Sequence, residues 1–243
     1  MSARPELSVA PSPEALIERA ARDVATYLRR RLAKQETVSI ALSGGGTPGP
    51  LYRRLAEAPY RFVIDWSRVR IFWVDERCVS PGDPDSNFRL VTETLLDRLP
   101  RLPEVCRMPG ELPPGQGAAA YARDLAAAFP GGAPYLDLVL LGIGGDGHTA
   151  SLFPGCAELK SNRPVVATQS PLPPYPRLSL GLSVLNAARR TAFLVAGSGK
   201  AEVVAKVLAA ARAPKPDPML PASWIRPQGP LTWYLDEAAA ARL

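Results

Sequence analysis

The chain has 243 residues, 47% of them hydrophobic and 21% charged, which is the balance of a folded protein and excludes a disordered chain. This length predicts a single domain over residues 1–243. The formal net charge is +6, but the basic residues are scattered and not interleaved with aromatic residues, so we expect no nucleic-acid partner.

Cysteine content and hydropathy indicate the compartment. Three widely spaced cysteines and a single histidine form neither a disulfide framework nor a Cys/His zinc site, so no metal is expected. No apolar run approaches the roughly 18 residues of a membrane span, and the first six residues lack the apolar stretch of a secretory signal. We therefore expect a cytoplasmic protein with reduced thiols and no membrane association.

The predicted elements alternate between helices and strands along the chain. Apolar residues at helical spacing, with capping and proline signals, predict helices at 13–34, 48–57, 86–99, 116–129, 200–211 and a short one ending at 243. Short β-rich runs predict strands at 38–42, 69–74, 136–141, 164–168, 178–182, 191–195 and 231–235. The fold class predicted is α/β, a mostly parallel sheet with helices on both faces and a modified Rossmann-like topology.

Three consecutive glycines follow the first predicted strand, in the segment Ser43-Gly44-Gly45-Gly46-Thr47. Such a loop turns backbone N–H groups toward an open space, and the helix after it adds the positive end of its dipole. The segment lacks the spacing of a nucleotide-type P-loop, so it predicts a simpler phosphate-binding loop. The alternative is a strand-to-helix turn that merely tolerates glycine.

The second predicted strand ends in Asp75-Glu76-Arg77, at the edge of the sheet where ligands of open α/β proteins bind. Arg77 offers permanently charged donors for an oxyanion. An ion pair between Arg77 and its acidic neighbours is the alternative.

The segment from Gly142 to His148 follows another predicted strand and fits the spacing G-x-G-x-x-G. A dinucleotide site is disfavoured because Phe153-Pro154-Gly155 interrupts the crossover helix that such a site needs. Asp146 lies two residues before the only histidine, His148, and an aspartate there can orient the ring or favour its charged form. This pattern favours a catalytic histidine over one that only caps or packs.

The segment from Gly197 to Lys200 again lies between a strand and a helix. Lys200 falls in the first helical turn, where the helix dipole disfavours a cation unless an anion compensates. Lys200 is therefore a candidate ligand contact, and Arg177 is a weaker one.

Taken in order, these segments resemble the 6-phosphogluconolactonase family over nearly the whole chain. The matching pieces are 43–48, 74–77, Ser86-Asn87, 141–155, 197–200 and 231–235. The sister family of glucosamine-6-phosphate deaminases typically has Asn-Gly-His where this chain has Asp146-Gly147-His148. One departure is that the stretch 171–176 lacks a lysine that relatives often carry ahead of Arg177.

The resemblance implies hydrolysis of 6-phosphoglucono-1,5-lactone, a small phosphosugar lactone, without cofactor or metal, in a protein expected to be a monomer. Our hypothesis makes His148 the general base, with Asp146 holding its ring and Arg77 stabilising the carbonyl oxygen. The residues expected to bind the substrate are Ser43, Gly44, Gly45, Gly46, Thr47, Asp75, Gly145, Arg177 and Lys200.

Three other functions remain open at this point. The chain could be an aminosugar-phosphate isomerase or deaminase, which would release ammonia from glucosamine 6-phosphate. A non-catalytic sugar-phosphate sensor would keep the glycine loop and make His148 dispensable. A dinucleotide-dependent oxidoreductase would bind NAD(P), which we do not expect.

Overall fold

The computed structural model describes residues 5–132, 134–174 and 176–243. Most of the N-terminal segment without a secretory signal, and part of the stretch 171–176, lie outside the described residues. The strands are β1 Glu6–Ala10, β2 Val38–Leu42, β3 Val69–Trp73, β4 Asp75–Arg77, β5 Glu104–Cys106, β6 Leu138–Leu141, β7 Val165–Gln169, β8 Pro176–Leu180, β9 Thr191–Val195 and β10 Leu231–Asp236.

Six of the eight helices in the described residues lie close to the predicted ranges, and the two at 60–63 and 182–187 were not predicted; short 3₁₀ turns lie between elements. They are α1 Pro13–Leu32, α2 Pro48–Leu55, α3 Tyr60–Val63, α4 Asn87–Thr94, α5 Pro114–Ala128, α6 Leu182–Ala187, α7 Ala201–Ala211 and α8 Glu237–Ala240. In α1 the Ser12 hydroxyl accepts a hydrogen bond from the Ala15 amide and Pro13 begins the first turn, as the sequence signals predict. None of the helices in the described ranges has the length and apolar character to cross a membrane.

Seven strands form one sheet in the order β1–β10–β9–β6–β2–β3–β5, and every neighbouring pair is parallel. The central strands β2, β6 and β9 are buried along their whole length, as expected for strands covered by helices on both faces. The predicted fold class is confirmed.

The strand order reverses direction between β2 and β6. From β2 the chain proceeds outward to β3 and β5, then returns to β6 on the other side of β2 and continues to β9 and β10. The β2–β6 ladder contains two residue pairs, whereas the β2–β3 ladder contains five. This junction is a topological switch point, and open α/β sheets bind ligands there, beyond the carboxyl ends of the strands.

Three strands form a second, antiparallel sheet in the order β4–β8–β7. The segments 164–168 and 178–182 were expected in the parallel sheet, and they pair here instead. The second of them ends early, because Gly181 begins the turn into α6, which the sequence pattern did not predict. Val74 joins the two sheets, since its amide donates to Leu42 and its carbonyl accepts from Leu180.

Two further strands, β1 and β5, were also not predicted. Each lies at an edge of the seven-stranded sheet and exposes apolar side chains, such as Leu7 and Val105.

A buried carboxylate organises the amino ends of β2 and β6. Asp137 is 4% exposed and accepts hydrogen bonds from the Ser39 amide (3.0 Å), the Arg31 guanidinium (2.9 Å) and the Gln35 amide (2.9 Å). The Ser39 hydroxyl lies 3.2 Å from the same carboxylate and 3.0 Å from the Asp137 amide, so it can bond to both. We call Arg31, Gln35, Ser39 and Asp137 the amino-edge cluster.

Candidate active site

A cavity of about 390 Å³ opens at the carboxyl ends of β2, β3, β6 and β9. The chain leaves each of these four strands at the same edge of the sheet, so segments distant in sequence meet there. Four groups of residues line the cavity. They are residues 43–48; Asp75, Arg77 and Asn87; residues 142–144 with His148 and Ala150; and residues 194–196 with Lys200.

The glycine loop after β2 presents free backbone amides to this cavity. Within the described chain, the N–H groups of residues 44–47 donate no hydrogen bond. Gly45 has φ +106°, a conformation that favours glycine. The Tyr52 hydroxyl donates to the Ser43 carbonyl over 2.6 Å and so anchors the start of the loop. The loop is therefore held in place with its donors unused, as an anion site requires.

The turn after β6 positions the histidine. Gly147 has φ +89°, and the Gly144 amide donates to the His148 carbonyl over 2.9 Å. A Cβ at Gly144 would lie 2.1 Å from His148 Nδ1, so only glycine leaves room for the ring there. The imidazole packs at 4.9 Å, centroid to centroid, from the Phe153 ring. The ring is a third exposed and lines the cavity.

The Asp146 carboxylate contacts the His148 imidazole at Nδ1. Its Oδ1 lies 2.6 Å from His148 Nδ1 and accepts from the His148 amide at 3.1 Å. Burial acts to raise the pKa of the Asp146 carboxyl, but the hydrogen bonds and charge of His148 outweigh it and hold that pKa below its usual value. Asp146 therefore stays ionised and fixes the orientation of the imidazole.

Two cations border the cavity without a carboxylate partner. Lys200 Nζ donates to the Ile143 carbonyl over 2.8 Å, and the Arg77 guanidinium donates to the Asp85 carbonyl. In the described parts of the chain, neither has a carboxylate within ion-pairing distance. The alternative reading of Arg77 as half of an ion pair with its acidic neighbours is therefore wrong. Cations without a carboxylate partner on the same wall as free amides suit an anionic ligand.

A buried carboxylate lies on the same wall. Asp75 is 8% exposed, and its Oδ2 accepts from the Ser151 hydroxyl over 2.7 Å. The Asn87 side-chain amide donates to the Asp75 carbonyl over 2.9 Å. Asp75 thus presents an acceptor to the cavity, which suits a hydroxyl group of a ligand.

A family model described as glucosamine-6-phosphate isomerases/6-phosphogluconolactonase matches residues 11–233. The chain belongs to this family. One member, a 6-phosphogluconolactonase of Synechocystis sp., is 39% identical over 246 residues, which is 98% of this chain and 98% of the relative.

Solved structures of the family share the architecture. The 6-phosphogluconolactonase from Trypanosoma brucei is 28% identical, with a TM-score of 0.85 and coverage of 98% of both chains. A monomeric glucosamine-6-phosphate deaminase is 23% identical, with a TM-score of 0.81 over 98% of this chain and 100% of that one. At that identity the deaminase shows a shared fold and nothing about activity.

In this member of the family, nine of the twelve predicted site residues line the cavity. They are Ser43, Gly44, Gly45, Gly46, Thr47, Asp75, Arg77, His148 and Lys200. Asp146 lies behind the imidazole, and Gly145 is not on the cavity wall.

Arg177 also lies off the cavity wall. It is 7% exposed and pairs with Arg77 across the antiparallel β4–β8 ladder, with its guanidinium donating to the Pro174 carbonyl. Burial, together with the like charge of Arg77, lowers the pKa of the Arg177 guanidinium.

Asn87 is the wall residue whose role the sequence did not reveal. It is 2% exposed, and a Cβ at Gly44 would lie 1.8 Å from its Oδ1, so the amide packs against the glycine loop. Ser86-Asn87 matches the family pattern, but the pattern gives no sign that this helix start reaches a loop 43 residues earlier. Ala150, with φ +51°, is a second wall residue that the pattern did not single out.

Proposed function

We propose that the chain hydrolyses 6-phospho-D-glucono-1,5-lactone to 6-phospho-D-gluconate, a carboxylic ester hydrolysis of the oxidative pentose phosphate pathway. One observation carries the proposal. The imidazole of His148 faces the same cavity as the free amides of residues 44–47 and the Lys200 ammonium. A base and an anion cradle on one cavity suit a substrate with an ester at one end and a phosphate at the other.

The phosphate end of the substrate binds at the glycine loop. Backbone N–H groups at the start of α2 donate to phosphate oxygens without needing a specific side chain, and the dipole of α2 favours the negative charge. Lys200 adds a charge-assisted hydrogen bond to the phosphate. Its hydrogen bond to the Ile143 carbonyl keeps the ammonium close to the turn that carries His148. Holding the phosphate in this way fixes the distance from the phosphorus to the reacting carbon.

His148 acts as the general base. Its Nδ1 faces Asp146, so we assign the Nδ1 proton to that hydrogen bond, which leaves Nε2 free to accept a proton. Water attacks the lactone carbonyl carbon as its proton passes to Nε2. The tetrahedral intermediate then breaks the bond from that carbon to the ring oxygen, and the imidazolium returns the proton to this oxygen.

Arg77 stabilises the negative charge that forms on the carbonyl oxygen. Its guanidinium borders the cavity, carries no carboxylate partner in the described chain and is held by the Asp85 carbonyl. A donor already aimed at the developing charge lowers the barrier without reorganising during the reaction. The Asp75 carboxylate accepts a hydrogen bond from a substrate hydroxyl. The expected cytoplasmic location and monomeric state stay predictions.

The test measures acid release from freshly generated 6-phosphogluconolactone with a pH indicator. The rate of a protein-free blank is subtracted to correct for spontaneous hydrolysis. We expect wild-type turnover well above the blank and no ammonia from glucosamine 6-phosphate. Ammonia release without lactone hydrolysis would make the chain a deaminase and end the proposal. Binding of the phosphosugar without turnover of either substrate would indicate a sensor.

A further inference from the structure

Glu76 lies between two wall residues, Asp75 and Arg77, yet its own side chain points away from the cavity. It is 3% exposed, and no cation pairs with its carboxylate among the described residues. Burial raises the pKa of this carboxyl, opposed by the backbone amides that bind it. A charged group kept in such surroundings needs an explanation.

Both carboxylate oxygens of Glu76 are saturated by hydrogen bonds. Oε1 accepts from the backbone amides of Arg77 (2.8 Å) and Asn87 (2.7 Å). Oε2 accepts from the Phe88 amide (2.8 Å) and the Ser86 hydroxyl (3.1 Å). Three of these four donors belong to the start of α4, so Glu76 fastens that helix end to β4.

The start of α4 in turn fixes the cavity wall. Asn87, its first residue, donates to the Asp75 carbonyl over 2.9 Å, and its amide packs against Gly44. Asp85, just before this helix, accepts from the Arg77 guanidinium. The segment held by Glu76 therefore touches the glycine loop, the Asp75 strand end and the Arg77 side chain.

We propose that Glu76 is a positioning residue for the reaction. It acts through Asn87 and Arg77, and keeps the anion cradle, Asp75 and the guanidinium at fixed separations. The inference rests on the proposed function. Catalysis is sensitive to such separations, because a displacement of about 1 Å costs roughly 100-fold in rate.

The test compares Glu76→Gln with Asp137→Asn. Both replace a buried carboxylate that accepts several hydrogen bonds by the isosteric amide, but Asp137 belongs to the amino-edge cluster at the opposite end of the strands. Both variants should lose thermal stability. Assayed well below their melting temperatures, Glu76→Gln should lose about 10- to 100-fold in kcat, and Asp137→Asn should keep wild-type kcat. Equal kcat in the two variants overturns the inference.

Two further measurements separate positioning from folding. Asn87→Ala removes the link to Asp75 without removing the Glu76 carboxylate, so it should reduce kcat even if Glu76→Gln fails to fold. In an Arg77→Ala background, Glu76→Gln should reduce kcat by less than it does alone, because it acts partly through Arg77. Full additivity, or wild-type kcat in Asn87→Ala, counts against the inference. A wild type without lactonase activity overturns the proposed function, and with it this inference.

Discussion

The strands β2 and β6 carry contrasting polar groups at their two ends. At the amino ends, the Asp137 carboxylate is bonded by the rest of the amino-edge cluster, and Arg31 has its anion. At the carboxyl ends, the amides of residues 44–47 are free in the described chain, and Lys200 has a carbonyl but no carboxylate partner. The Ser43 hydroxyl there is buried without a hydrogen-bond partner.

The contrast indicates different roles: the paired groups at the amino ends stabilise the fold, and the unpaired groups at the carboxyl ends are available to bind a ligand. Buried polar groups are normally paired, because an unpaired one costs about 1–3 kcal/mol. At the carboxyl edge the Ser43 hydroxyl is such a group, whereas the glycine loop is exposed at Gly45 and Gly46. Substitutions at the carboxyl edge should therefore cost activity, and substitutions at the amino edge should cost stability.

The largest loss of activity is expected for His148→Ala. Removing the proposed general base should reduce kcat by about 100- to 10,000-fold. The melting temperature should change little, because the ring is a third exposed and lies at the cavity. Rates come from the lactone assay and melting from circular dichroism. A variant that keeps wild-type kcat would show that another group activates water.

Asp146→Asn should have the next largest effect. Loss of the anion that orients the imidazole removes a charge-assisted hydrogen bond, so kcat should fall by roughly 10- to 100-fold. Wild-type kcat for Asp146→Asn in the lactone assay contradicts this pairing.

Asp146 also links pH to folding. Its pKa is lowered in the folded protein, so its contribution to stability is present above the unfolded carboxyl range near 4 and is lost as the pH falls through the lower folded pKa. Between wild type and Asp146→Asn, the difference in unfolding free energy should therefore shrink in acid.

Lys200→Ala tests the anion cradle, with Lys206→Ala as its matched control. Lys206 lies on α7, just beyond Lys200 in the chain, and pairs with Glu202 at 2.8 Å on the surface. We expect KM for the lactone to rise about tenfold or more in Lys200→Ala, since a hydrogen bond to a charged group contributes about 1.5–3 kcal/mol. Lys206→Ala should match the wild type. Equal KM values in both variants would remove Lys200 from the phosphate site.

The smallest effect on activity is expected at the amino edge, in Ser39→Ala. The change leaves the Asp137 amide without its acceptor and should reduce the free energy of unfolding by about 1–2 kcal/mol. In a chain of this size that lowers the melting temperature by a few degrees. Lactonase kcat and KM should stay unchanged, and a clear loss of either would show that the two ends are not independent.

The sequence predicts the central strands and the loops that follow them well. Strands β2, β6 and β9 are short apolar runs that end in glycine or polar residues, and those ends are where the cavity forms. Because parallel strands end at one edge of a sheet, the convergence of Ser43 and His148 follows from the α/β pattern alone.

Contacts across the chain could not be predicted in the same way. From the sequence, Glu76 is predicted at the end of a strand and Asn87 at the start of a helix. Only the packing of α4 brings Asn87 against Gly44. Arg177 was expected at the phosphate, but the antiparallel pairing of β8 with β4 puts it beside Arg77 and off the cavity wall. Side-chain partners of this kind depend on the register between strands, which hydrophobic patterning does not specify for polar residues.

The short ladder between β2 and β6 has a consequence for how the enzyme works. The anion cradle follows one of these strands and the imidazole follows the other, and backbone hydrogen bonds join the two strands at only two residue pairs. The separation between the cavity ends of these two strands is therefore set within the sheet. We therefore expect the protein to discriminate among phosphosugar lactones by the number of carbon atoms between phosphorus and carbonyl.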